Sequence, residues 1–203
     1  MHPAIGVVVG YILGSIPFAY LAGRLTRGID LREHGSGNLG ATNVYRTLGW
    51  KVAAVVFLLD VLKGALPVLM VLRLDRGEHL LAWAIGAGIA AIAGHAKPMF
   101  LRWRGGGKGV ATATGVFLAL APVPTLVAVA TWLAVVAASG YVSLGSLTAA
   151  VALPLAIAAL LGIHATLFPV SLALAIFVFW SHRANIARLR RGEEHRFGRK
   201  ASA

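Results

Sequence analysis

The chain has 203 residues, of which 58% are hydrophobic and only 13% charged, with a mean hydropathy of +0.79. Soluble domains carry about a quarter charged residues, so this composition excludes the soluble globular class and points to an all-α integral membrane protein, one polytopic domain over residues 1–203. The net charge of +12 sits in short segments between apolar runs, as the positive-inside bias would place it, and so suggests anionic membrane lipids and small phosphorylated molecules as partners, not nucleic acid.

The N-terminal run MHPAIGVVVGYILG lacks the basic segment and cleavage site of a signal peptide and reads as the start of a first span. A bilayer-spanning helix needs roughly 20 mostly apolar residues. Clear candidates cover about 4–24, 52–72, 80–97, 145–162 and 164–181, followed by a basic tail, 182–203. Between them, 110–139 contains APVP at 121–124. One straight helix there would be about 45 Å long, and the prolines would interrupt its hydrogen bonding. The segment therefore reads as two short antiparallel helices, 110–121 and 124–139, turning at the prolines.

Charge parity supports that reading. Arg24, Arg27, Arg32, Arg46 and Lys51 follow the first span, and Lys97, Arg102, Arg104 and Lys108 follow the third. Arg183, Arg188, Arg190, Arg191, Arg196, Arg199 and Lys200 follow the last, while only Arg73 and Arg76 separate the second and third. If 110–139 crosses twice, all three clusters face the cytoplasm and the N-terminus lies outside, giving a bundle of seven transmembrane helices with a cytoplasmic C-terminus. Five crossings plus a re-entrant hairpin have the same parity and stay open.

Within the second span Asp60 and Lys63 lie three apart, on one helical face. Charges at that depth pair or face a polar cavity, so they read as an ion pair or as part of substrate binding or proton transfer. Gly86, Ala90 and Gly94 in the third span recur every four residues, a stripe that reads as close helix packing.

Three polar segments fall on the same expected membrane face: Gly35-Ser36-Gly37-Asn38-Leu39-Gly40-Ala41-Thr42-Asn43; GHAKPMFLRWRGGGKGVAT at 94–112; and YVSLGS at 141–146 with SHRANIARL at 181–189. Gly35, Gly37 and Gly40 spell G-x-G-x-x-G, but the dinucleotide reading needs a strand before it and a βαβ unit, and the flanks here are membrane helices. A P-loop would need glycine at Arg102 and Ser or Thr at Gly109, and fails at both.

The physical content of these glycines survives without those folds. Successive backbone N–H groups form an anion-binding nest, and a helix starting near Asn38 or Gly40 would point its positive end at the same place. Asn43 and Arg46 share a face of that helix, and Lys108 is a point charge among Gly105, Gly106, Gly107 and Gly109. Ser36, Asn43, Arg46 and Lys108 form a candidate phosphate clamp, against the alternative of flexible basic loops touching lipid head groups. His95 and His182, the latter three residues before Asn185, are candidate hydrogen-bonding or acid/base groups, against a structural role. With no cysteine and no His-Glu-x-x-His, neither disulfides nor those zinc sites are available, and a G-x-S-x-G elbow is absent.

In combination, GSIPFAYL (14–21), HGSGNLGATNV (34–44), LLDVLKGALP (58–67), GH…P.F…GGKGVAT (94–112), YVSLGS (141–146) and HRANIARL (182–189) resemble the bacterial membrane acyl-phosphate:glycerol-3-phosphate acyltransferases, the PlsY family. The resemblance runs from about residue 10 to 200. It implies transfer of a fatty acyl group from acyl phosphate to the 1-position of sn-glycerol 3-phosphate, giving lysophosphatidic acid and phosphate in the first step of phospholipid synthesis. It also implies a multi-pass protein of the bacterial inner membrane, with seven helices and a cytoplasm-facing site built from the three segments.

Residue by residue, the resemblance assigns Ser36, Asn38, Asn43, Arg46 and Lys108 to substrate phosphates, with Gly37, Gly40, Gly106, Gly107 and Gly109 supplying backbone. Ser143, His182 and Asn185 fall to positioning the second substrate, and His95 and Glu194 also match family positions. Catalysis on this reading centres on Ser36, Arg46, Lys108, His182 and Asn185, with no cofactor or metal. Partners implied are membrane lipids, the enzyme supplying acyl phosphate and the next acyltransferase. Lys97 stands where the family suggests an aromatic, and GGGKG is one glycine longer than the common form. Other glycerol-phosphate acyltransferases resemble one another in a His-x-x-x-x-Asp pair, and no histidine here has an aspartate five residues on. An acyl phosphate is already activated, so no protein acyl intermediate is expected, and a donor phosphate oxygen can take the hydroxyl proton. A phosphate or organic-anion transporter is the rival class, but no inverted repeat is visible; a lipid-binding structural subunit is the third.

Overall fold

The structure, a computed structural model, describes residues 4–74 and 77–197. Arg76, Arg199, Lys200 and His2 lie outside them. Among the described residues every regular element is helical: α1 Ala4–Gly14, α2 Phe18–Arg27, α3 Ala41–Leu48, α4 Trp50–Leu74, α5 Leu80–Ala96, α6 Val110–Leu120, α7 Pro122–Ser139, α8 Val142–Leu161, α9 Leu167–Ser181 and α10 Arg183–Arg190. A 3-10 turn, Met99–Leu101, follows α5. The chain forms two compact units, Met1–Leu120 and Ala121–Ala203, each with its own internal packing.

Among the described residues five stretches are long and apolar enough to cross a membrane: Ala4–Arg27, Trp50–Leu74, Leu80–Leu101, Pro122–Ser139 and Val142–Leu161. The pair α9 and α10, bent by 60°, makes a sixth if taken as one span. The 11-residue α6 has a rise of roughly 16 Å, about half of a hydrocarbon core.

In the first unit α1 packs on α5 and α4, and α4 on α5, α6 and α3. Helix axes come together where side chains are absent. A Cβ on Gly10 or Gly14 of α1 would overlap the carbonyls of Ala87 and Ala91 in α5, and one on Gly94 would meet Tyr11 O and Ser15 N. The α4–α6 seam works alike: Gly64 abuts the Thr112 carbonyl and Gly115 the Val61 carbonyl. Such backbone contact is what small residues allow between membrane helices, where lipid is as apolar as leucine and burial drives nothing. Gly94 of the expected stripe lies on this seam and Gly86 faces Val7, but the closest approach belongs to Gly10 and Gly14 on the partner helix.

The first span is not one helix, as the sequence reading had it. It breaks over Ser15-Ile16-Pro17, because proline has no N–H and disfavours helical geometry at Ile16 before it. The break takes the Ile16 carbonyl out of the helical ladder; Phe18 N donates to it at 3.1 Å. Helix α2 then ends on Gly28 (φ 68°), with Gly28 N donating to Arg24 O and Ile29 N to Gly23 O, the paired bonds of a left-handed cap.

In the second unit α7 packs on α8, α8 on α9 and α9 on α10. Gly145 of α8 sits under Trp132 and Val136 of α7, and Trp132 Nε1 donates to Ser146 Oγ at 3.4 Å.

The seam glycines give a direct test. Gly115→Val should lower stability by about 1–3 kcal/mol or more through overpacking against Val61, read as a fall in melting temperature in detergent. Gly86→Ala, whose Cβ would meet only Val7 Cγ2 at 3.3 Å, should be near neutral, since alanine gains up to about 1 kcal/mol in helix propensity. Equal losses would contradict the seam.

Candidate active site

The polar stretch between α2 and α3 is ordered by three apolar anchors. Leu31, Leu39 and Val44 are buried with Ala19, Ala53 and Val56, and each leucine so buried contributes roughly 1.5–3 kcal/mol. Between the anchors Gly35 (φ 62°) and Gly37 (φ 67°) take the left-handed turns that the path requires.

Asn43 is the hub of this loop. Its side chain, 2% exposed, accepts from Ser36 N at 2.9 Å through Oδ1 and donates from Nδ2 to Leu31 O and His34 O at 3.2 and 3.0 Å. A Cβ at Gly35 would overlap that oxygen. The amide expected to hold phosphate thus folds the loop. Ser36 and Arg46 are exposed at the surface, and no side chain caps the N-terminus of α3 at Gly40.

The second glycine segment is stitched to the first through one carbonyl. Gly106 O accepts from Leu39 N at 3.2 Å and from Asn38 Nδ2 at 3.3 Å. Arg32, clasped by Asp30 through Nε at 3.0 Å and Nη2 at 2.6 Å, donates from Nη1 to Arg104 O at 3.3 Å. Those bonds from Arg32 hold the Asp30 carboxyl down at about 2 against the opposing effect of burial. A carboxyl so lowered stabilises the fold fully above its unfolded value near 4 and stops doing so as pH falls toward about 2, so the clasp is intact at physiological pH. Asp30 does not stand out in the sequence and Arg32 only as a charge of the first basic cluster, because a D-x-R spacing has no distinctive pattern.

Beneath the loop, Gly107 N donates to His95 O at 3.1 Å, and there is no room for a Cβ on Gly107 beside the His95 ring, nor on Gly106 beside Ala96 O. His95 is 6% exposed, so its ring supports the loop from inside. Lys108, half-buried, follows directly, and Gly109 (φ 80°) leads into α6. Two residues before the glycines, Arg102 (φ 52°) and Trp103 (φ 58°) hold consecutive left-handed conformations, costly for non-glycine residues. Trp103 Nε1 donates to Tyr11 Oη at 2.8 Å, and Tyr11 Oη donates to Lys97 O at 3.0 Å, tying this bend to α1.

In the second unit the third segment forms its own hub. Glu194 Oε1 accepts from Ser143 Oγ at 2.9 Å and Asn185 Nδ2 at 2.6 Å, and Oε2 from Arg188 Nε at 2.7 Å. Burial works to raise the Glu194 pKa, but the bonds from Asn185, Arg188 and Ser143 outweigh it and lower it. Phe197 N donates to Gly140 O and Arg196 Nε to Tyr141 Oη, so the tail folds back on the start of α8. His182, 3% exposed, stands at the α9–α10 bend. Its Nδ1–H donates to Val178 O at 2.8 Å, which in the neutral ring leaves the lone pair on Nε2. Arg188 joins the assigned residues; the sequence had it only as tail charge. Among the described residues no group of three His, Cys, Asp or Glu is arranged to hold a metal.

Residues 4–192 match the family model for glycerol-3-phosphate acyltransferase. Glycerol-3-phosphate acyltransferases of Geobacter sulfurreducens and Desulforamulus reducens are 46% and 43% identical to the chain, over 97% and 96% of it and 98% and 95% of their own lengths. In three dimensions the chain is similar to PlsY (YgiH), an integral membrane glycerol 3-phosphate acyltransferase, in crystal structures of its glycerol 3-phosphate and lysophosphatidic acid forms. The TM-scores are 0.88 and 0.85 at 38% and 37% identity, covering 98% of this chain and 96% of that one. With its apolar helices, its matched length and its identity to these enzymes, the chain belongs to the glycerol-3-phosphate acyltransferase family of integral membrane enzymes.

Proposed function

We propose that this enzyme moves a fatty acyl group from acyl phosphate to the 1-position of sn-glycerol 3-phosphate, releasing inorganic phosphate and lysophosphatidic acid. The observation that carries the reading is the joining of two glycine segments on the Gly106 carbonyl. It brings the loop of Ser36 and α3, which carries Arg46 in its last turn, onto the same backbone scaffold as Lys108. Both reactants are anions, so the demanding step is holding them together against repulsion. Cations and oriented backbone N–H groups do this with little reorganisation.

Roles follow from exposure and hydrogen bonding. Ser36, Arg46 and Lys108, with backbone of Gly40, Gly106 and Gly109, contact phosphate; Gly37 and Gly107, whose N–H groups go to His34 O and His95 O, join Asn43, Asn38 and His95 in shaping the loops that carry them. Ser143, Asn185 and Glu194 order the segment bearing His182, which orients the second substrate. The attacking hydroxyl bonds to the acyl carbon as the anhydride C–O bond breaks, and its proton passes to the departing phosphate. No side chain is acylated. The chain carries no His-x-x-x-x-Asp pair to serve as base, which fits a donor whose own oxygen does that work. The protein lies in a bacterial inner membrane, its N-terminus outside and its basic clusters cytoplasmic, as the charge bias favours; it has seven membrane helices where the short α6 is counted as one of them.

Purified protein in lipid, supplied with acyl phosphate and glycerol 3-phosphate, should form lysophosphatidic acid and equimolar phosphate; a folded preparation giving none would sink the reading. Comparable turnover with acyl-CoA would overturn the donor assignment, and an acyl adduct on Ser36 or Ser143 by intact mass spectrometry would overturn direct transfer. Arg46→Ala and Lys108→Ala should each cost on the order of 100-fold or more in turnover, as lost transition-state charge contacts do, with melting temperature unchanged. Glu194→Ala should remove the carboxylate that accepts from Ser143, Asn185 and Arg188, costing roughly 1–3 kcal/mol, read as a fall in melting temperature. Since the Glu194 pKa is lowered, this stabilisation is complete above its unfolded value and fades only as pH falls through the lower folded one. The difference in melting temperature between wild type and Glu194→Ala should therefore be flat from pH 6 to 8.

A further inference from the structure

We infer that the buried Asp60–Lys63 pair positions the glycine-rich loop for phosphate, an inference resting on the phosphate role proposed above. Both side chains are nearly inaccessible, 2% and 3% exposed, with Lys63 Nζ 2.7 Å from Asp60 Oδ1. That contact has an ion pair's length, but it is too poorly aligned for a hydrogen bond to Oδ1. Stability alone does not account for it, because a buried ion pair can often be replaced by apolar residues without loss.

What the pair touches is informative. Lys63 Nζ donates at 2.9 Å to the Ile16 carbonyl, the group freed by the break between α1 and α2, and lies 5.4 Å from the centroid of the Phe18 ring just past it. Asp60 Oδ1 lies 3.7 Å from His95 Nδ1. The other side of the His95 ring bears on Gly107, whose N–H the His95 carbonyl accepts. Ile16, Phe18, Leu39, Lys63, His95 and Gly106 line one small cavity. One ion pair therefore grips the break in the first span on one side and, through His95, the backbone preceding Lys108 on the other. Lys63 and Asp60 are positioning residues, since they act through Ile16 and His95.

The test uses Asp60→Asn and the neutral double variant Asp60→Asn/Lys63→Met in the full-length protein. Removing either partner alone strands a buried charge, so the double variant carries the test and Asp60→Asn is its fallback. Two readouts are taken, hydrogen exchange of the Gly106–Gly109 amides and inhibition of turnover by added inorganic phosphate. The expected result in both variants is roughly tenfold faster loop exchange and a roughly tenfold higher half-inhibitory phosphate concentration, with exchange in the core of α8 unchanged. Wild-type values of both readouts in the double variant overturn the inference. If the double variant does not fold, wild-type values in Asp60→Asn do so. Faster loop exchange together with a wild-type enzyme that phosphate never inhibits overturns the phosphate clamp itself, not the coupling of ion pair to loop.

Discussion

The first unit depends on there being no side chain at Gly106 and Gly107. With hydrogen in place of Cβ, the loop lies directly on the last turn of α5, and a methyl at either position would occupy the space of Ala96 O or the His95 ring. That contact sets the height of the Gly106 carbonyl, which in turn holds Leu39 N and Asn38. Two segments 68 residues apart are thereby fixed to one another with few side chains spent on the joint. Glycine would make both segments flexible in isolation. Here the backbone bonds and the buried leucines on either side offset that entropy.

A polar loop at the edge of an oily chain must also satisfy its own backbone. Asn43 shows how. Its oxygen takes Ser36 N–H and its nitrogen serves two carbonyls, so one buried amide replaces the regular structure that the glycines forgo. This separates the side chains that build the loop from those it leaves at the surface, to which the proposed function gives the phosphate contacts. Asn43, Asp30 and His95 are buried, whereas Ser36 and Arg46 are exposed. Substrates that carry phosphate need the second kind held still by the first.

Much of this was legible beforehand, for specific reasons. The helices followed from apolar length, and the boundary near 121 from Pro122 and Pro124, so α6 and α7 were foreseen within a residue or two. Pro17 was missed as a break because the apolar run continues through it, and hydropathy does not register the loss of a single N–H. The glycine face of α1 does not stand out because Gly6, Gly10 and Gly14 lie in a continuous apolar run that reads as a span whichever face its small residues take. Motif residues stood out as unusual in so oily a chain. Their division into scaffold and surface did not, because Asn43 and Asn38 look alike in sequence, and only the path of the backbone shows which amide is enclosed. Glu194 had only a loose register, and its standing comes from three donors that converge on it from three points along the chain.

The buried carboxylates of the two units illustrate one economy. Glu194 is surrounded by donors from the first turn of α8 and from the two ends of α10, and Asp60 by a lysine and a histidine from two helices. A buried carboxylate is costly to leave unmatched, so its partners must arrive together or not at all. An apolar contact tolerates a shift of half an ångström with small loss, whereas a charge-assisted bond to a buried oxygen is directional and weakens steeply. In a membrane, where helix packing is driven by shape and not by water, such carboxylates are the available means of registering one segment against another. An enzyme that must set cations against phosphate to within fractions of an ångström has reason to place them under each segment that carries its site.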